Sequence, residues 1–294
     1  MGASTMAITD NRIEQAIDRA VDYIANRQCH NGGFCYYRTD DLEEPNLHDT
    51  YYAVAAYGLV QRQIPNRDKV MDYLRSMGTT GQQSSYLYYY AFTVYLLGEL
   101  TLDLELLDSL LGLHIAPPKA GKNVPLSGWL EDSFRVIRLQ KTFAGYSRMD
   151  EIKDFVRNLA RPGGVGAKPN LLDTYLALSI LAELNGLSGL LETKYFINRV
   201  QLASFGFKYT EDSLFSPNVD ILYAGVISCV LLGLRVKYPA DIVNSVLMSQ
   251  RTHGGFTRSP DSLGDLETHY KALEIIHQLR AGKYSLRWEN QANH

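Results

Sequence analysis

One short turn recurs along the chain and constrains its fold more than any other sequence feature. It reads Gln-x-x-x-Gly-Gly-Phe at Gln28 to Phe34 and again at Gln250 to Phe256. A third copy keeps Gly163-Gly164-Val165, and a fourth keeps only Gly206-Phe207. Glycines of this kind end a helix in a tight turn. Because self-similarity over tens of residues is typical of repeat proteins, we interpret the chain as an array of equivalent units.

A helix is predicted on each side of every turn. Amphipathic helices precede the turns, at 13–27, 148–160, 190–203 and 240–249. Apolar helices follow, and four of them open alike: Asp49-Thr50-Tyr51-Tyr52-Ala53, Asp173-Thr174-Tyr175-Leu176-Ala177, Asp220-Ile221-Leu222-Tyr223-Ala224 and Thr268-His269-Tyr270-Lys271-Ala272. Two weaker units have first helices at 66–77 and 103–112, with second helices opening near Ser84 and at Asp132. The pattern therefore predicts six helical hairpins.

Six such hairpins cannot bury their apolar faces singly, so they must stack. We expect an all-α fold in which they close into a double ring, an α6/α6 toroid. The charged first helices form its outer layer and the apolar second helices its inner layer. The predicted domain spans 13–282, between a flexible N-terminus at 1–12 and a C-terminal tail at 283–294. An open solenoid of helix pairs is the alternative architecture.

Composition narrows the class of function. The net charge is -3 and no block of Lys and Arg appears, which argues against binding to nucleic acid. Three cysteines without disulfide or zinc-site spacing favour a cytoplasmic location. The N-terminal residues predict neither an export signal nor a lipid anchor. The longest apolar stretch, around 221–234, is too short for a membrane span.

The turn followed by a helix opening Asp-Thr-Tyr-Tyr-Ala resembles the repeat of the terpenoid cyclase and protein prenyltransferase superfamily. The resemblance covers residues from about 13 to 280. It implies an inner cavity that is lined by aromatic side chains and accommodates an isoprenoid chain. Because one fold hosts many reactions, the resemblance does not name the reaction.

The catalytic motifs of that superfamily are incomplete in this chain. Its protein prenyltransferases bind zinc through Asp-x-Cys and a later His, and Asp220 and His269 match the outer two ligands. Leu222 replaces the thiolate, so a zinc cofactor is not expected. The family's diphosphate-binding Arg and Lys correspond to Leu214 and Pro217. The Asp-x-Asp-Asp motif of class II cyclases does not occur in the sequence.

Carboxylates at the inner-helix starts are the candidate catalytic groups. Asp49, Asp132, Asp173 and Asp220 are predicted in first turns, where helix capping is the alternative role. Parallel inner helices place their N-termini at one mouth, which suits an anion, a carboxylate-bound Mg²⁺ or an acid–base site. Asp132 and Asp220 are the preferred acids. His269 is a candidate acid–base partner or, alternatively, a hydrogen-bonded structural histidine.

Tyrosine is the most abundant aromatic residue, with 20 copies against 10 phenylalanines. Rings that face the lumen would contact an apolar ligand or stabilise a carbocation, and their hydroxyl groups indicate an oxygenated substrate. Core packing is the alternative role. The residues predicted to bind substrate are Tyr51, Tyr86, Tyr90, Trp129, Tyr175, Tyr223 and Tyr270.

Two functions of different classes fit these features. The leading hypothesis is a cyclase-like isoprenoid-processing enzyme, an isomerase or lyase, that starts cyclisation of a polyprenyl-type or prenylated substrate with a carboxylic acid. Mg²⁺ is a candidate cofactor, and no metal-ligating residue is assigned. The alternative is a non-catalytic toroid that binds an isoprenoid or docks a partner subunit or a second copy. A carbohydrate-processing α/α barrel is disfavoured because the chain has only Trp129 and Trp288.

Overall fold

The computed structural model describes residues 10–38, 42–78, 82–99, 104–118, 125–145, 149–214, 218–259 and 262–280. Within these ranges, outer and inner α-helices alternate along the chain. The outer helices are α1 (Asp10–Ala25), α3 (Arg67–Arg75), α5 (Leu104–Leu111), α7 (Asp150–Asn158), α9 (Leu191–Arg199) and α11 (Pro239–Met248). The inner helices are α2 (Leu47–Leu59), α4 (Ser84–Leu96), α6 (Leu126–Leu139), α8 (Leu171–Glu183), α10 (Val219–Leu232) and α12 (Leu266–Arg280).

Short elements complete the described structure. Two antiparallel hairpins form the glycine turns of the fourth and fifth units, β1 (Ala160–Arg161) with β2 (Gly164–Val165) and β3 (Gln201–Leu202) with β4 (Gly206–Phe207). A π-helical turn (Gln140–Ala144) continues α6. Residues 10–12 of the predicted flexible N-terminus belong to α1, and the predicted tail at 283–294 lies outside the described residues. Among the described helices, none is long and apolar enough to cross a membrane.

The inner helices form a closed ring. Each packs against the next, and α12 packs against α2, so the first and last units are neighbours. Contacts at matched heights show that neighbouring inner helices run parallel. Ser127 near the start of α6 donates to Asp173 near the start of α8, and Lys141 beyond the end of α6 contacts Glu183 at the end of α8. The predicted six-unit toroid is confirmed, and closure of the ring excludes the open solenoid.

The glycine turns dock on the inner helices through a recurring hydrogen bond. The backbone N–H of Phe34 donates to Thr50 Oγ1 at 2.9 Å, and Thr174 accepts the equivalent bond in the fourth unit at 3.1 Å. In the sixth unit the backbone N–H of Phe256 donates to His269 Nε2 at 2.9 Å. These three acceptors therefore occupy equivalent positions in their units, and each satisfies a buried backbone N–H.

Capping residues correct the register of the fifth unit. Three inner helices begin after an asparagine whose side chain accepts a backbone N–H, namely Asn46 at α2, Asn170 at α8 and Asn218 at α10. Asp49 and Asp173 are the third residues after their caps, whereas Asp220 is the second residue after its cap. The alignment of Asp220 with Asp49 was therefore wrong by one residue.

The start of α6 also differs from the sequence expectation. The helix is capped by Pro125 and runs from Leu126, so Asp132 is its seventh residue and lies in the second turn. The prediction that Asp132 opens an inner helix is therefore wrong. Proline pre-sets a helical φ and lacks an N–H, so it favours a helix start at the residues that follow it.

The core lies between the two rings, where the turn aromatics pack. Phe34, Phe207 and Phe256 are all buried. Phe207 lies directly on α10 at Gly225, where a Cβ atom would be 2.3 Å from its ring. The glycine in this inner helix is therefore a packing requirement of the adjacent turn, and it shows how closely turn and inner helix approach.

Candidate functional site in the ring lumen

A cavity of about 340 Å³ lies inside the inner ring. All six inner helices contribute side chains to its wall. Tyrosines form much of that wall, namely Tyr51, Tyr52, Tyr88, Tyr89, Tyr175, Tyr209, Tyr223 and Tyr270. Small-molecule sites typically have volumes of roughly 300–1,000 Å³, so the cavity is large enough for a small ligand.

Five of these tyrosines occupy one repeated position. Each is the fifth residue after the residue that precedes its inner helix, and they are Tyr51, Tyr88, Tyr175, Tyr223 and Tyr270. Burial raises the pKa of Tyr51, Tyr175, Tyr223 and Tyr270, so the hydroxyl groups of these four remain neutral at physiological pH. Their rings also contact aromatic neighbours, as in the edge-on pair of Tyr175 and Tyr223 at 5.5 Å. The repeat therefore builds a neutral aromatic band around the lumen.

The other three predicted substrate-binding residues lie outside the cavity lining. Tyr86 and Tyr90 are one turn apart on α4, and the lumen face of that helix carries Tyr88 and Tyr89 instead. Trp129 on α6 packs against the outer layer. Its indole N–H donates to the carbonyl of Ala116 at 2.9 Å, and its ring contacts Phe155 of α7.

Asp173 is a buried carboxylate in the cavity wall. Its Oδ1 accepts a hydrogen bond from Ser127 Oγ at 2.6 Å, and its Oδ2 accepts one from Asn170 Nδ2 at 2.8 Å. Ser127 and Asn170 are both uncharged side chains. Asp173 therefore combines access to the lumen with an oriented carboxyl group, which is the geometry a general acid or base requires.

Asp220 also lines the cavity, but its surroundings are ionic. Its carboxylate contacts Lys271 Nζ at 2.7 Å and Arg258 Nε at 2.9 Å. Lys271 in turn contacts Glu267 at 2.7 Å. Cationic side chains thus occupy both carboxylate oxygens of Asp220, which suits it to a structural or electrostatic role.

Asp49 and Asp132 lie away from the cavity lining. Asp49 is buried and accepts a hydrogen bond from its capping residue, Asn46, at 2.6 Å. The side chain of Asp132 is 60% exposed and pairs with Arg135 at 3.2 Å. Of the four predicted aspartates, the ring thus brings Asp173 and Asp220 to the lumen.

His269 is buried behind the lumen wall. Its Nε2 accepts from the turn N–H, so Nδ1 carries the proton and donates to the Asp265 carbonyl at 2.6 Å. The imidazole stacks on Tyr23 with centroids 4.4 Å apart. Burial lowers the pKa of His269 to about 4, so it is neutral at physiological pH. Both nitrogens are thus engaged in holding the sixth turn.

No metal centre is evident among the described residues. Within them, no group of three or more His, Cys, Asp or Glu side chains is placed to hold an ion. Asp220 lines the cavity, whereas His269 does not, so these two matches to the prenyltransferase zinc ligands do not converge there. Leu214 is exposed, and Pro217 lies outside the described residues.

Sequence reasoning missed the charged residues of the lumen. Arg135 and Arg138 extend from α6, and Glu267, Lys271 and Glu274 extend from α12. Arg138 donates to the Tyr88 hydroxyl at 2.8 Å and lies 4.7 Å from the centre of the Phe92 ring. The sequence did contain a signal for them, since these charged residues lie on helices that were expected to be inner and apolar. Charged side chains are rarely buried without partners, so their presence there indicated a polar site.

His48 couples ring closure to pH. Burial lowers the pKa of its imidazole, but hydrogen bonds to Asp49 and Glu267 outweigh burial and raise it to about 9. The contact with Glu267 at 3.3 Å joins α2 to α12, the first and last inner helices. Because the folded pKa exceeds the unfolded value of about 6.5, this stabilisation is complete below pH 6.5 and is lost as pH rises through 9.

We therefore expect the melting temperature of the wild-type protein to fall more steeply between pH 6.5 and pH 9 than that of His48→Gln. The His48 side chain is 40% exposed, so solvent screening limits the size of the difference. Thermal melts of both proteins at constant ionic strength measure it. Parallel pH profiles would show that His48 contributes nothing to closure.

Comparisons with known proteins agree with this geometry. The family model described as prenyltransferase alpha-alpha toroid domain matches residues 1–86, 82–262 and 194–291. Candida albicans protein geranylgeranyltransferase-I, complexed with GGPP, aligns with 94% of this chain and 92% of its own, at 16% identity and a TM-score of 0.66. A type II terpene cyclase from Scytonema was solved in complex with its substrate, geranylgeranyl dihydroxybenzoate. It aligns with 92% of this chain and 97% of its own chain, at 11% identity and a TM-score of 0.57. A search of curated protein sequences finds no match.

Proposed function

The chain belongs to the prenyltransferase alpha-alpha toroid domain family, and from this premise we propose that it cyclises an isoprenoid substrate by acid catalysis in its lumen. The observation that carries the proposal is the oriented, buried carboxyl group of Asp173 in a tyrosine-lined wall. The two structural neighbours were solved with GGPP and with a geranylgeranyl substrate. An isoprenoid ligand for this chain is consistent with both.

Asp173 is the proposed general acid. In its acid form, the carboxyl group donates its proton to a carbon of a substrate alkene. The O–H bond breaks, a C–H bond forms, and a tertiary carbocation remains. The hydrogen bonds from Asn170 and Ser127 hold the carboxyl group in one orientation in the cavity wall. Asp220 is less suited to this step because the cations Lys271 and Arg258 occupy both of its carboxylate oxygens.

The remaining steps need no oxidant or cofactor. The π electrons of a second alkene form a C–C bond to the cation, and loss of a proton to a base restores a neutral product, an isomer of the substrate. The faces of the lumen tyrosines are electron-rich and stabilise positive charge along this path. Glu274, a buried carboxylate of α12 in the same cavity wall, is the proposed base.

Product analysis tests the proposal. Purified protein is incubated with farnesyl and geranylgeranyl diphosphates, a squalene-type hydrocarbon and a prenylated hydroxybenzoate, with and without Mg²⁺, and the products are identified by mass spectrometry. We expect a cyclic isomer that retains its polar head. Release of diphosphate would show that the reaction starts by ionisation or transfer of the prenyl group and not by protonation of an alkene. Binding without conversion would favour the non-catalytic alternative, and the absence of both would refute an isoprenoid function.

A further inference from the structure

Two arginines of α6 line the lumen but have no role in the proposed cyclisation. Arg135 and Arg138 are three residues apart, so both project from the same face of the helix. Their side chains are only 15% and 18% exposed. Each guanidinium group carries a permanent positive charge, because arginine stays protonated in proteins.

Tyrosine hydroxyls orient both guanidinium groups. Arg138 donates to Tyr88 at 2.8 Å, and Arg135 donates to Tyr89 at 3.4 Å. Both tyrosines belong to α4 and line the same cavity. The arginines are thus held in place on a polar wall built from α4 and α6, where planar guanidinium groups suit bidentate binding of carboxylate or phosphate.

The carboxylates near these arginines permit exchange with a ligand anion. Arg135 pairs with Glu131 and Asp132, whose side chains are 52% and 60% exposed. The carboxylate end of each pair is about half exposed, so it can turn toward solvent when a ligand anion takes its place at Arg135. Near Arg138, the Glu183 carboxylate contacts Lys141 at 2.9 Å and lies 4.0 Å from the guanidinium.

The opposite wall of the lumen has a different character. In the ring order, α6 lies across from α12, which brings Glu267 and Glu274 to the cavity together with Lys271. Lys271 is paired with Glu267 and Asp220. A carbocation would be repelled by the arginine wall and favoured near the carboxylate wall, because like charges raise its energy.

We propose that Arg135 and Arg138 bind the anionic head group of the ligand, a diphosphate or a carboxylate, on the α4–α6 wall. The inference rests on the proposed function for the isoprenoid part of the ligand. Arg138 lies in the last turn of α6, and Arg135 lies about one turn nearer the mouth formed by the inner-helix N-termini. The head group then enters the lumen, and its chain extends toward the tyrosines and Asp173.

Equilibrium binding tests the site. Titration calorimetry compares wild type, Arg135→Gln and Arg138→Gln with farnesyl diphosphate, farnesoic acid, farnesol and inorganic pyrophosphate. Each arginine variant should bind the preferred anionic ligand at least about tenfold more weakly, the loss expected for one charge-assisted hydrogen bond. Farnesol binding should be unchanged. The anion with the larger arginine dependence identifies the head group as diphosphate or carboxylate.

Arg199→Gln is the matched control, because it removes an arginine from the outer helix α9, where the guanidinium pairs with Glu211 at 2.8 Å. It should bind every ligand as the wild type does. Wild-type affinity for both anionic ligands in both arginine variants would overturn the proposed site, even if farnesol binds. Pyrophosphate binding that depends on the arginines would support the site even if no isoprenoid binds, so the two proposals fail separately. Arg135 is the fallback position if Arg138→Gln does not fold.

Discussion

Replacement of Asp173 by asparagine should lower the rate of cyclised product formation by roughly 10²–10⁴-fold, the range over which a positioned general acid contributes. The amide retains the size of the carboxyl group but has no proton of suitable acidity to donate. The helix cap should survive, because Asn170 accepts the backbone N–H at position 173 through its own side chain. Turnover number and melting temperature of the purified variant check the two expectations together.

Asp49→Asn is the matched control for this experiment. Asp49 has the same place after its cap as Asp173, is similarly buried and accepts the same kind of bond from Asn46, but it lies outside the cavity lining. It should lose stability to a similar extent and retain turnover. Equal losses of activity in the two variants, in proportion to their stability, would reduce Asp173 to a helix cap.

The repeated architecture is the part of the structure that the sequence predicts well. Repeated turns and helix openings predicted the ring, and the same repetition placed Tyr51, Tyr175 and Tyr270 at one level of the lumen. A periodic sequence predicts periodic structure, because equivalent residues meet equivalent neighbours in every unit. What it does not predict is which unit departs from the pattern and thereby supplies chemistry.

The third unit shows where such prediction fails. Its inner helix lacks the asparagine cap and starts at Leu126, so Asp132 was placed in a first turn that the helix does not have. In the second unit, the choice between Tyr86 and Tyr88 depends on helix phase. Neighbouring residues differ by about 100° around the axis, so a small error in phase selects the wrong face.

For His269 the sequence offered an acid–base role and a structural role, and the structure shows the hydrogen-bonded structural histidine. The aligned openings place it where Thr50 and Thr174 stand. All three side chains accept the N–H of a glycine turn, so a threonine-equivalent position indicated a hydrogen-bond acceptor.

Replacement of His269 by leucine should therefore destabilise the fold by about 3 kcal/mol, because the N–H of Phe256 loses its acceptor in the core and the stacking on Tyr23 is lost. His269→Gln should be less destabilising, since its side-chain oxygen can accept the same bond. Chemical denaturation measures both free energies of unfolding. If the two variants were equally destabilised, packing rather than the hydrogen bond would be the main contribution of this residue.

Acid stability separates this role from catalysis. The pKa of His269 is lowered to about 4 by burial, whereas an unfolded histidine titrates near 6.5. The unfolded state therefore takes up the proton first. The contribution of His269 to the free energy of unfolding is complete above pH 6.5 and is lost as pH falls toward 4, by at most about 1.4 kcal/mol per pH unit.

His269→Gln should remove this slope and leave the rate of product formation at pH 7 unchanged. His48 acts in the opposite window, above pH 6.5, so it cannot produce the same effect. A large loss of turnover in a stably folded His269→Gln variant would instead give the imidazole a part in the reaction.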